Sequence, residues 1–402
     1  MKTGLRFPVV TLFLLVSSSC SQAQAVFSTL CLFTTGAAAG QVRDYAPLPP
    51  LPVGNACSDG MGSFGYIIAP PTPPPTPTAP PDPFAAILQS VKFNGTALVK
   101  GASGNKYREA FGVADNLGPT MNGLTTRFRL GSLSKQFTAT AVLALVDQNL
   151  IQLNTSICAY LDACPPQWNP IQIIHLLQHT SGIPDFTSLP TYSLLKTQHT
   201  TSAQMVTGFK AFPLAYPPGI NFRYSNSEYV ILGYIVERIV HQDLGTYMAQ
   251  TYFVPRGMTN TGYDHQNPLD DSTEATGYSL VAGALSPVGP INMTVPGGAG
   301  GFFSTVDDLS TWLDALLSGK ILSAASLHTM LTPGPGYAGC GWFIKPTPAG
   351  HTAIYHIGTI DGFENAIVID GATKAMAIVL SNVDATPSEQ LARALMVPAL
   401  SN

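Results

Sequence analysis

Charged residues are scarce in this sequence. Only 10% of its 402 residues are Asp, Glu, Lys or Arg, against roughly 25% in typical soluble domains. The formal net charge is -4 at pH 7, and the basic residues form no patch along the chain. Because proteins that bind nucleic acids usually carry a concentrated basic surface, the sequence predicts no nucleic-acid partner.

Long hydrophobic runs are also missing beyond the first residues. Residues 7–16 form an apolar run between a basic start and the small-x-small sequence at 23–25, which is typical of an export signal spanning residues 1–25. This run is shorter than the roughly 20 apolar residues that a transmembrane helix needs, and no later segment is long enough. We therefore expect a secreted or periplasmic protein without a transmembrane segment. Cys20, in VSSSC, offers the alternative of a lipid anchor.

Cysteine is sparse, and no set of cysteines and histidines has the spacing of a zinc motif. Export makes disulfides feasible. Cys31 and Cys57 bracket a small module, and we expect them to pair. Cys158 and Cys164 are close enough in sequence to close a short loop, which leaves Cys340 as a buried free thiol.

Proline divides the chain into two parts. The sequence PPTPPPTPTAPPDP, residues 71–84, predicts a semi-rigid spacer between a small N-terminal module, residues 26–70, and a main domain, residues 85–402. The main domain begins and ends with strand-like runs, such as TALVKGAS and ENAIVID, around a helical middle. This order predicts an α+β fold with one antiparallel sheet built from both ends of the domain. Helices flank this sheet, and the helical segment is inserted to one side.

The sequence GSLSK, residues 131–135, places a potential nucleophile and a potential base at the start of a predicted helix. Ser132 and Lys135 are three residues apart, so one helical turn brings them to the same face. Lysine can activate a serine hydroxyl only if its pKa falls from about 10.4 toward about 7. Burial and the positive end of the helix dipole both lower a lysine pKa.

Ser-x-x-Lys alone is not diagnostic, since Ser193 and Lys196 repeat it. Two further stretches strengthen the first occurrence. Tyr224-Ser225-Asn226 combines a phenol, which can relay protons if its pKa is lowered, with an amide that can bind a substrate carbonyl. His356-Ile357-Gly358 ends a predicted strand, where glycine lets a substrate backbone lie along the strand edge.

In this order the three motifs resemble those of the penicillin-recognising serine hydrolases. They are most similar to the branch related to class C β-lactamases, which includes D,D-peptidases, D-aminopeptidases and family VIII esterases. HLLQHTSGIPDF, PRGMTNTGY and PGGAGGFFSTVDDLSTWL resemble further segments of this family. The resemblance covers nearly all of residues 85–402, none of residues 26–84, and does not include Ser193. It implies a β-lactamase/transpeptidase-like fold. It also implies chemistry that needs no metal or cofactor.

The resemblance also implies catalytic roles. Ser132 would be the acylated nucleophile and Lys135 its proton partner. Tyr224 would serve hydrolysis as general base and acid, and the backbone N–H groups of Ser132 and Thr359 would form the oxyanion hole. We therefore expect an exported serine hydrolase that cleaves amide or ester bonds through an acyl-enzyme.

Substrate-binding roles follow from the same resemblance. Asn226 would orient the acyl side chain, Gly358 would admit the substrate backbone, and His356 would contact a substrate carboxylate or assist Tyr224. Many β-lactamases of this branch have Lys-Thr-Gly where this chain has His-Ile-Gly. Because histidine is mostly neutral at pH 7, we expect hydrolysis of peptides or esters to exceed that of β-lactams.

The substrate would thus be a small molecule or a peptide, with cell-wall peptide as one candidate. The alternative is a non-catalytic protein that binds peptidoglycan or peptides and retains the fold. The intact set of Ser132, Lys135, Tyr224 and His356 argues against it. The sequence gives no indication of oligomeric state.

Overall fold

The chain separates into two compact units, residues 1–80 and 81–402. The computed structural model describes residues 29–33, 42–45, 56–58, 64–68, 82–104, 106–115, 120–264 and 273–401. The predicted export signal, Cys20 and the proline-rich spacer up to residue 81 lie outside the described residues. Within the described ranges, no helix has the length and apolar character needed to cross a bilayer.

The first unit contains a small antiparallel sheet with the strand order β2-β1-β4-β3. Its strands are β1 (Thr29–Phe33), β2 (Val42–Tyr45), β3 (Ala56–Ser58) and β4 (Phe64–Ile68). Cys31 belongs to β1 and Cys57 to β3, and β4 lies between these strands. The side chains of both cysteines lie outside the described part of the chain, so their pairing stays a prediction.

The second unit combines several sheets with helices. Its strands are β5 (Gly95–Lys100), β6 (Lys106–Phe111), β7 (Val113–Asp115), β8 (Thr120–Met121), β9 (Phe128–Arg129), β10 (Gly262–Tyr263), β11 (Tyr278–Val281), β12 (Ala284–Pro287), β13 (Phe302–Ser304), β14 (Phe343–Pro346), β15 (Thr352–Ile360), β16 (Phe363–Asp370) and β17 (Met376–Ser381). Its helices are α1 (Pro83–Ser90), α2 (Lys135–Asp147), α3 (Ile173–Leu177), α4 (Tyr192–Leu195), α5 (Ser202–Phe209), α6 (Asn226–Val240), α7 (Leu244–Met248), α8 (Gly297–Gly300), α9 (Val306–Leu317), α10 (Ala324–Leu331) and α11 (Ser388–Ser401).

The main sheet confirms the prediction that both ends of the domain build it. Its strand order is β14-β15-β16-β17-β5-β6, and every neighbouring pair is antiparallel. Successive side chains of a strand point to opposite faces. In β5, accordingly, Ala97 and Val99 pack toward α1 and α11, whereas Leu98 belongs to the larger core on the other side. Helices therefore cover both faces of the sheet.

Helix α2 lies inside the larger core, and its residues from Lys135 to Leu145 are buried. The sequence predicts a helix from Ser132 onward, but the first turn, Gly131–Ser134, is a 3₁₀ turn. Side chains three residues apart eclipse one another in a 3₁₀ helix. This tighter turn aligns the side chain of Ser132 with that of Lys135, at the point where the chain enters the core.

Cys158 and Cys164 form a disulfide, and Cys340 is a buried free thiol among the described residues, as the cysteine spacing suggested. The disulfide closes a loop with a sequence separation of 6. Closing so short a loop removes little chain entropy from the unfolded state compared with a long one, and corresponds to about 2 kcal/mol.

Replacing both Cys158 and Cys164 with alanine should lower the free energy of unfolding by about 2 kcal/mol, measured by urea denaturation under oxidising conditions. Reductant should destabilise the wild type more than the double variant, by a similar amount, because only the wild type has this disulfide to lose. A double variant as stable as the oxidised wild type would contradict the assigned stabilisation.

Candidate active site

The turn that carries Ser132 packs tightly against β15. Gly131 has a φ of +53°, a left-handed conformation that favours glycine. A Cβ atom at Gly131 would lie 2.7 Å from the carbonyl oxygen of Thr359, and one at Gly358 would lie 2.0 Å from the carbonyl oxygen of Leu130. Both glycines therefore allow the Ser132 turn and β15 to approach each other at backbone distance.

Lys135 is fully buried beneath Ser132. Its Nζ atom lies 3.0 Å from Ser132 Oγ, 2.8 Å from Asn226 Oδ1 and 2.8 Å from the carbonyl oxygen of Ala299. Burial lowers the pKa of Lys135 to about 7, although the negative charges of Asp185 and Glu228 oppose this shift. Near neutral pH a large fraction of Lys135 is therefore the neutral amine, which is able to accept a proton.

Tyr224 lies on the other side of the serine hydroxyl. Its phenol donates a hydrogen bond of 2.8 Å to Ser132 Oγ. Lys135 Nζ lies 4.9 Å from the centre of the Tyr224 ring. Burial raises the pKa of Tyr224 despite its hydrogen bond to Ser132, which is opposite to the lowering that proton relay by a resting phenolate requires. The phenol is thus protonated in this site, and it donates to Ser132 Oγ.

The edge of β15 is open beside Ser132. β14 pairs with β15 only from Thr352 to Tyr355, and no described strand pairs with this edge beyond that point. Thr359 lies on this stretch of β15 and lines a cavity of about 300 Å³ next to Ser132. The wall of this cavity is formed by Gly131, Ser132, Phe186, Thr187, Tyr192, Asn226, Pro296, Ala299, Gly300, Thr359, Ile360, Asp361 and Asp384.

His356 is close to Tyr224 but does not line this cavity. The residue is only 4% exposed, and its ring packs beside those of Phe343 and Tyr224, with centroid distances of 5.3 and 6.2 Å. Burial and then the charge of Lys135 lower its pKa to about 3, so the imidazole is neutral at physiological pH. Its Nδ1 lies 2.6 Å from the carbonyl oxygen of Ile357, which requires the proton on Nδ1. This geometry favours packing against Tyr224 over binding of a substrate carboxylate.

Gly358 is buried against the Ser132 turn, so its role here is close backbone approach. The structure therefore gathers Lys135, Tyr224, Asn226 and Thr359 around Ser132. The second Ser-x-x-Lys does not join them. Ser193 is exposed on α4, and Lys196 forms an ion pair with Asp361 at the cavity.

Sequence reasoning missed a layer of buried polar residues behind Tyr224. Glu228 Oε2 lies 2.5 Å from His179 Nδ1, and Glu228 Oε1 accepts hydrogen bonds from the hydroxyl and the N–H of Ser181. Burial raises the pKa of Glu228 and lowers the pKa of His179. The His179 ring packs on the Tyr224 ring at 4.4 Å, so this layer supports the phenol from behind. The only sequence signal was that His179 and Ser181 lie inside HLLQHTSGIPDF and that Glu228 follows Tyr224-Ser225-Asn226.

Sequence reasoning also missed Asp185, whose only sequence signal was its place inside HLLQHTSGIPDF. Its carboxylate accepts hydrogen bonds from the backbone and side-chain N–H groups of Asn226, 41 residues away in sequence. Across the described residues, no three His, Cys, Asp or Glu side chains converge as a metal site would require.

Comparisons with known proteins find related sequences and a shared fold. A family model described as Beta-lactamase matches residues 84–400. The chain is similar to penicillin-binding protein 4* of Bacillus subtilis, with 24% identity over 332 residues, which cover 74% of this chain and 70% of that protein.

Solved structures show the same architecture. The crystal structure of a penicillin-binding protein from Bacillus halodurans superposes with a TM-score of 0.69 at 26% identity, covering 78% of this chain and 97% of that one. A D-stereospecific amidohydrolase from Streptomyces sp. shares the fold, with a TM-score of 0.68 at 22% identity, covering 78% of this chain and 98% of that one. These likenesses confirm the α+β, β-lactamase/transpeptidase-like fold. Because the family model spans most of the sequence, the chain belongs to the β-lactamase family, the group of serine β-lactamases and penicillin-binding-protein-like hydrolases that its motifs resemble.

Proposed function

We propose that this protein is a serine hydrolase that cleaves an ester or amide bond through an acyl-enzyme on Ser132. The observation that carries this proposal is the buried Lys135, whose pKa of about 7 and distance of 3.0 Å from Ser132 Oγ fit a general base. A neutral amine has two N–H groups, and Asn226 Oδ1 and the Ala299 carbonyl accept them. The lone pair of Lys135 then faces Ser132.

In the acylation step, Lys135 takes the proton of Ser132 as Oγ attacks the substrate carbonyl. The backbone N–H groups of Ser132 and Thr359 stabilise the resulting oxyanion. When the tetrahedral intermediate collapses, Tyr224 gives its proton to the leaving group. The site is then left with an ammonium on Lys135 and a phenolate on Tyr224, whose ring centre lies 4.9 Å from Nζ.

Deacylation reverses these transfers. The Tyr224 phenolate removes a proton from water, and the hydroxide attacks the acyl carbonyl. Collapse of the second intermediate breaks the bond to Ser132, whose oxygen recovers its proton from Lys135. Because burial raises the pKa of Tyr224, its phenolate is a strong base for this step. Tyr224 thus acts as acid and then as base, and the site returns to its starting protonation.

The expected substrates are carboxylic esters and amides or peptides of D-amino acids, with cell-wall peptide as a candidate. Relatives whose names include penicillin-binding protein and D-stereospecific amidohydrolase support this range. His356 is buried and neutral, so it supplies no positive charge to hold the carboxylate of a β-lactam. We therefore rank β-lactam hydrolysis below hydrolysis of esters and peptides.

We further propose that the protein is exported, with residues 1–25 as its signal and residues 26–70 as an accessory module joined by the spacer at 71–84. The Cys158–Cys164 disulfide supports this location, since disulfides persist mainly in oxidising compartments.

Replacing Ser132 with alanine should reduce hydrolysis of p-nitrophenyl butyrate by at least about 1,000-fold, because the nucleophile is lost. The intact mass of the wild type should show an adduct with a fluorescent penicillin or an ester, and this variant should show none. The matched control is Ser193→Ala, which alters the other Ser-x-x-Lys and should keep wild-type turnover. Turnover that survives in Ser132→Ala would contradict the assignment, and a wild type without turnover or adduct would favour a binding protein.

The activity should depend on pH through Lys135. Only the neutral amine accepts the serine proton, so kcat/KM should be high above pH 7 and fall about tenfold per pH unit below it. Steady-state rates from pH 4 to 9 with p-nitrophenyl butyrate would measure this fall in kcat/KM and its midpoint. His356 has a pKa of about 3, so a His356→Asn variant should keep the midpoint near 7. If the midpoint moves by more than one pH unit in that variant, the fall in kcat/KM reports the titration of His356 and not that of Lys135.

The position of the cavity indicates which part of the substrate it holds. Tyr224, the proposed donor to the leaving group, and His356 do not line it, so the leaving group lies on their side and the acyl group lies in the cavity. Phe186 lines this cavity and also a second, more apolar cavity of about 390 Å³. The Phe186 ring therefore contributes to the wall between them and limits the acyl group.

Replacing Phe186 with alanine should join the two cavities and admit longer acyl chains. The ratio of kcat/KM for p-nitrophenyl octanoate to that for the butyrate ester should rise about tenfold or more. Phe209→Ala is the matched control, since Phe209 stacks on Phe186 at 5.4 Å and lines only the second cavity. An equal rise in both variants, or no rise in either, would contradict this role of Phe186.

A further inference from the structure

The side chain of Asn226 connects the catalytic lysine to a carboxylate. Asn226 Oδ1 accepts a hydrogen bond of 2.8 Å from Lys135 Nζ. On the opposite side, Asn226 Nδ2 lies 3.3 and 3.2 Å from the two carboxylate oxygens of Asp185 and donates to them. The backbone N–H of Asn226 donates to Asp185 Oδ1 at 3.2 Å. One carboxylate thus receives N–H groups from both the backbone and the side chain of Asn226.

This carboxylate determines which way the amide of Asn226 faces. An amide group has a donor side and an acceptor side of nearly equal size, and its orientation follows from its hydrogen-bond partners. An ionised carboxylate only accepts hydrogen bonds, so Asp185 selects the orientation with Nδ2 toward itself. The Oδ1 atom must then face Lys135.

The opposite orientation would disable the base. With Nδ2 facing Lys135, two donor groups would meet unless the amine turned its lone pair toward Asn226. The lone pair would then be occupied by an N–H group instead of facing Ser132. Because Lys135 has no solvent to supply other partners, the orientation of one amide decides where its lone pair points.

Asp185 is itself held in place by the 3₁₀ turn that follows it, Phe186–Ser188. Thr187 donates to it twice, from its N–H at 3.1 Å and from its hydroxyl at 2.8 Å. Asp185 does not line the cavity. Its carboxylate therefore has a fixed position behind Asn226, without a place in the acyl cavity.

We propose that Asp185 is a positioning residue, whose carboxylate fixes the amide of Asn226 and thereby aims the lone pair of Lys135 at Ser132. The inference rests on the proposed function, since it assigns a task only if Lys135 activates Ser132. The isosteric Asp185→Asn change tests it, because an asparagine at this position can accept or donate and so permits the flipped amide of Asn226.

The experiment is a double-mutant cycle on the acylation step. Wild type, Asp185→Asn, Asn226→Ala and the double variant are mixed rapidly with p-nitrophenyl butyrate, and the burst of p-nitrophenol gives the acylation rate and the half-saturating ester concentration. Asp185→Asn should slow the burst between about 10-fold and 100-fold and change half-saturation less than twofold. In the Asn226→Ala background the same change should have less than a twofold effect.

Asp243→Asn is the matched control for loss of a capping carboxylate. Asp243 caps α7 by accepting a hydrogen bond of 2.9 Å from the N–H of Thr246. This variant should lower the melting temperature somewhat and keep the wild-type burst rate. Melting curves of every variant separate a loss of folded protein from a loss of rate.

Each outcome bears on the inference. A wild-type burst rate in Asp185→Asn, or a loss that multiplies with that of Asn226→Ala, would show that Asp185 does not act through Asn226. If Asp185→Asn lowers the burst only as much as it lowers the fraction of folded protein, Asp185 serves only to cap the 3₁₀ turn Phe186–Ser188. A wild type with neither turnover nor an adduct would overturn the proposed function, and this inference with it, whereas the other results overturn the inference alone.

Discussion

The candidate site depends on keeping an amine away from water. An ammonium group without solvent is strongly disfavoured, and this cost brings the pKa of Lys135 to about 7. The neutral amine remains acceptable in the core because Asn226 and the Ala299 carbonyl accept its N–H groups. The charges of Asp185 and Glu228 oppose the shift, so they limit how far the pKa falls.

The fold provides this environment by joining segments that are distant in sequence. The turn before α2 supplies Ser132 and α2 begins with Lys135. Tyr224 lies just before α6, which begins with Asn226, and β15 supplies Thr359. Glycine at 131 and 358 lets the turn and β15 meet backbone to backbone. β15 is part of a sheet covered by helices on both faces, and its residues form part of the cavity wall beside Ser132.

Much of this arrangement could be predicted from sequence, because motifs and apolar periodicity are local patterns. They predicted the sheet from both ends of the domain and identified Ser132, Lys135 and Tyr224, which the structure brings together. Burial of individual polar groups is a tertiary property and left no such pattern. The sequence therefore did not reveal that the pKa of Tyr224 is raised, that His356 is removed from the cavity, or that Asp185 and Glu228 stand behind the site.

The open edge of β15 has a consequence for self-association. A strand edge with unpaired N–H and C=O groups invites a strand from another molecule, which is a common route to aggregation. Here the open stretch, residues 356–360, follows the last residue paired with β14 and lies against the Ser132 turn. A second β-sheet cannot approach through a cavity of about 300 Å³, whereas a single substrate group can. The same wall that shapes the cavity thus shields this stretch of β15 from pairing with a second sheet.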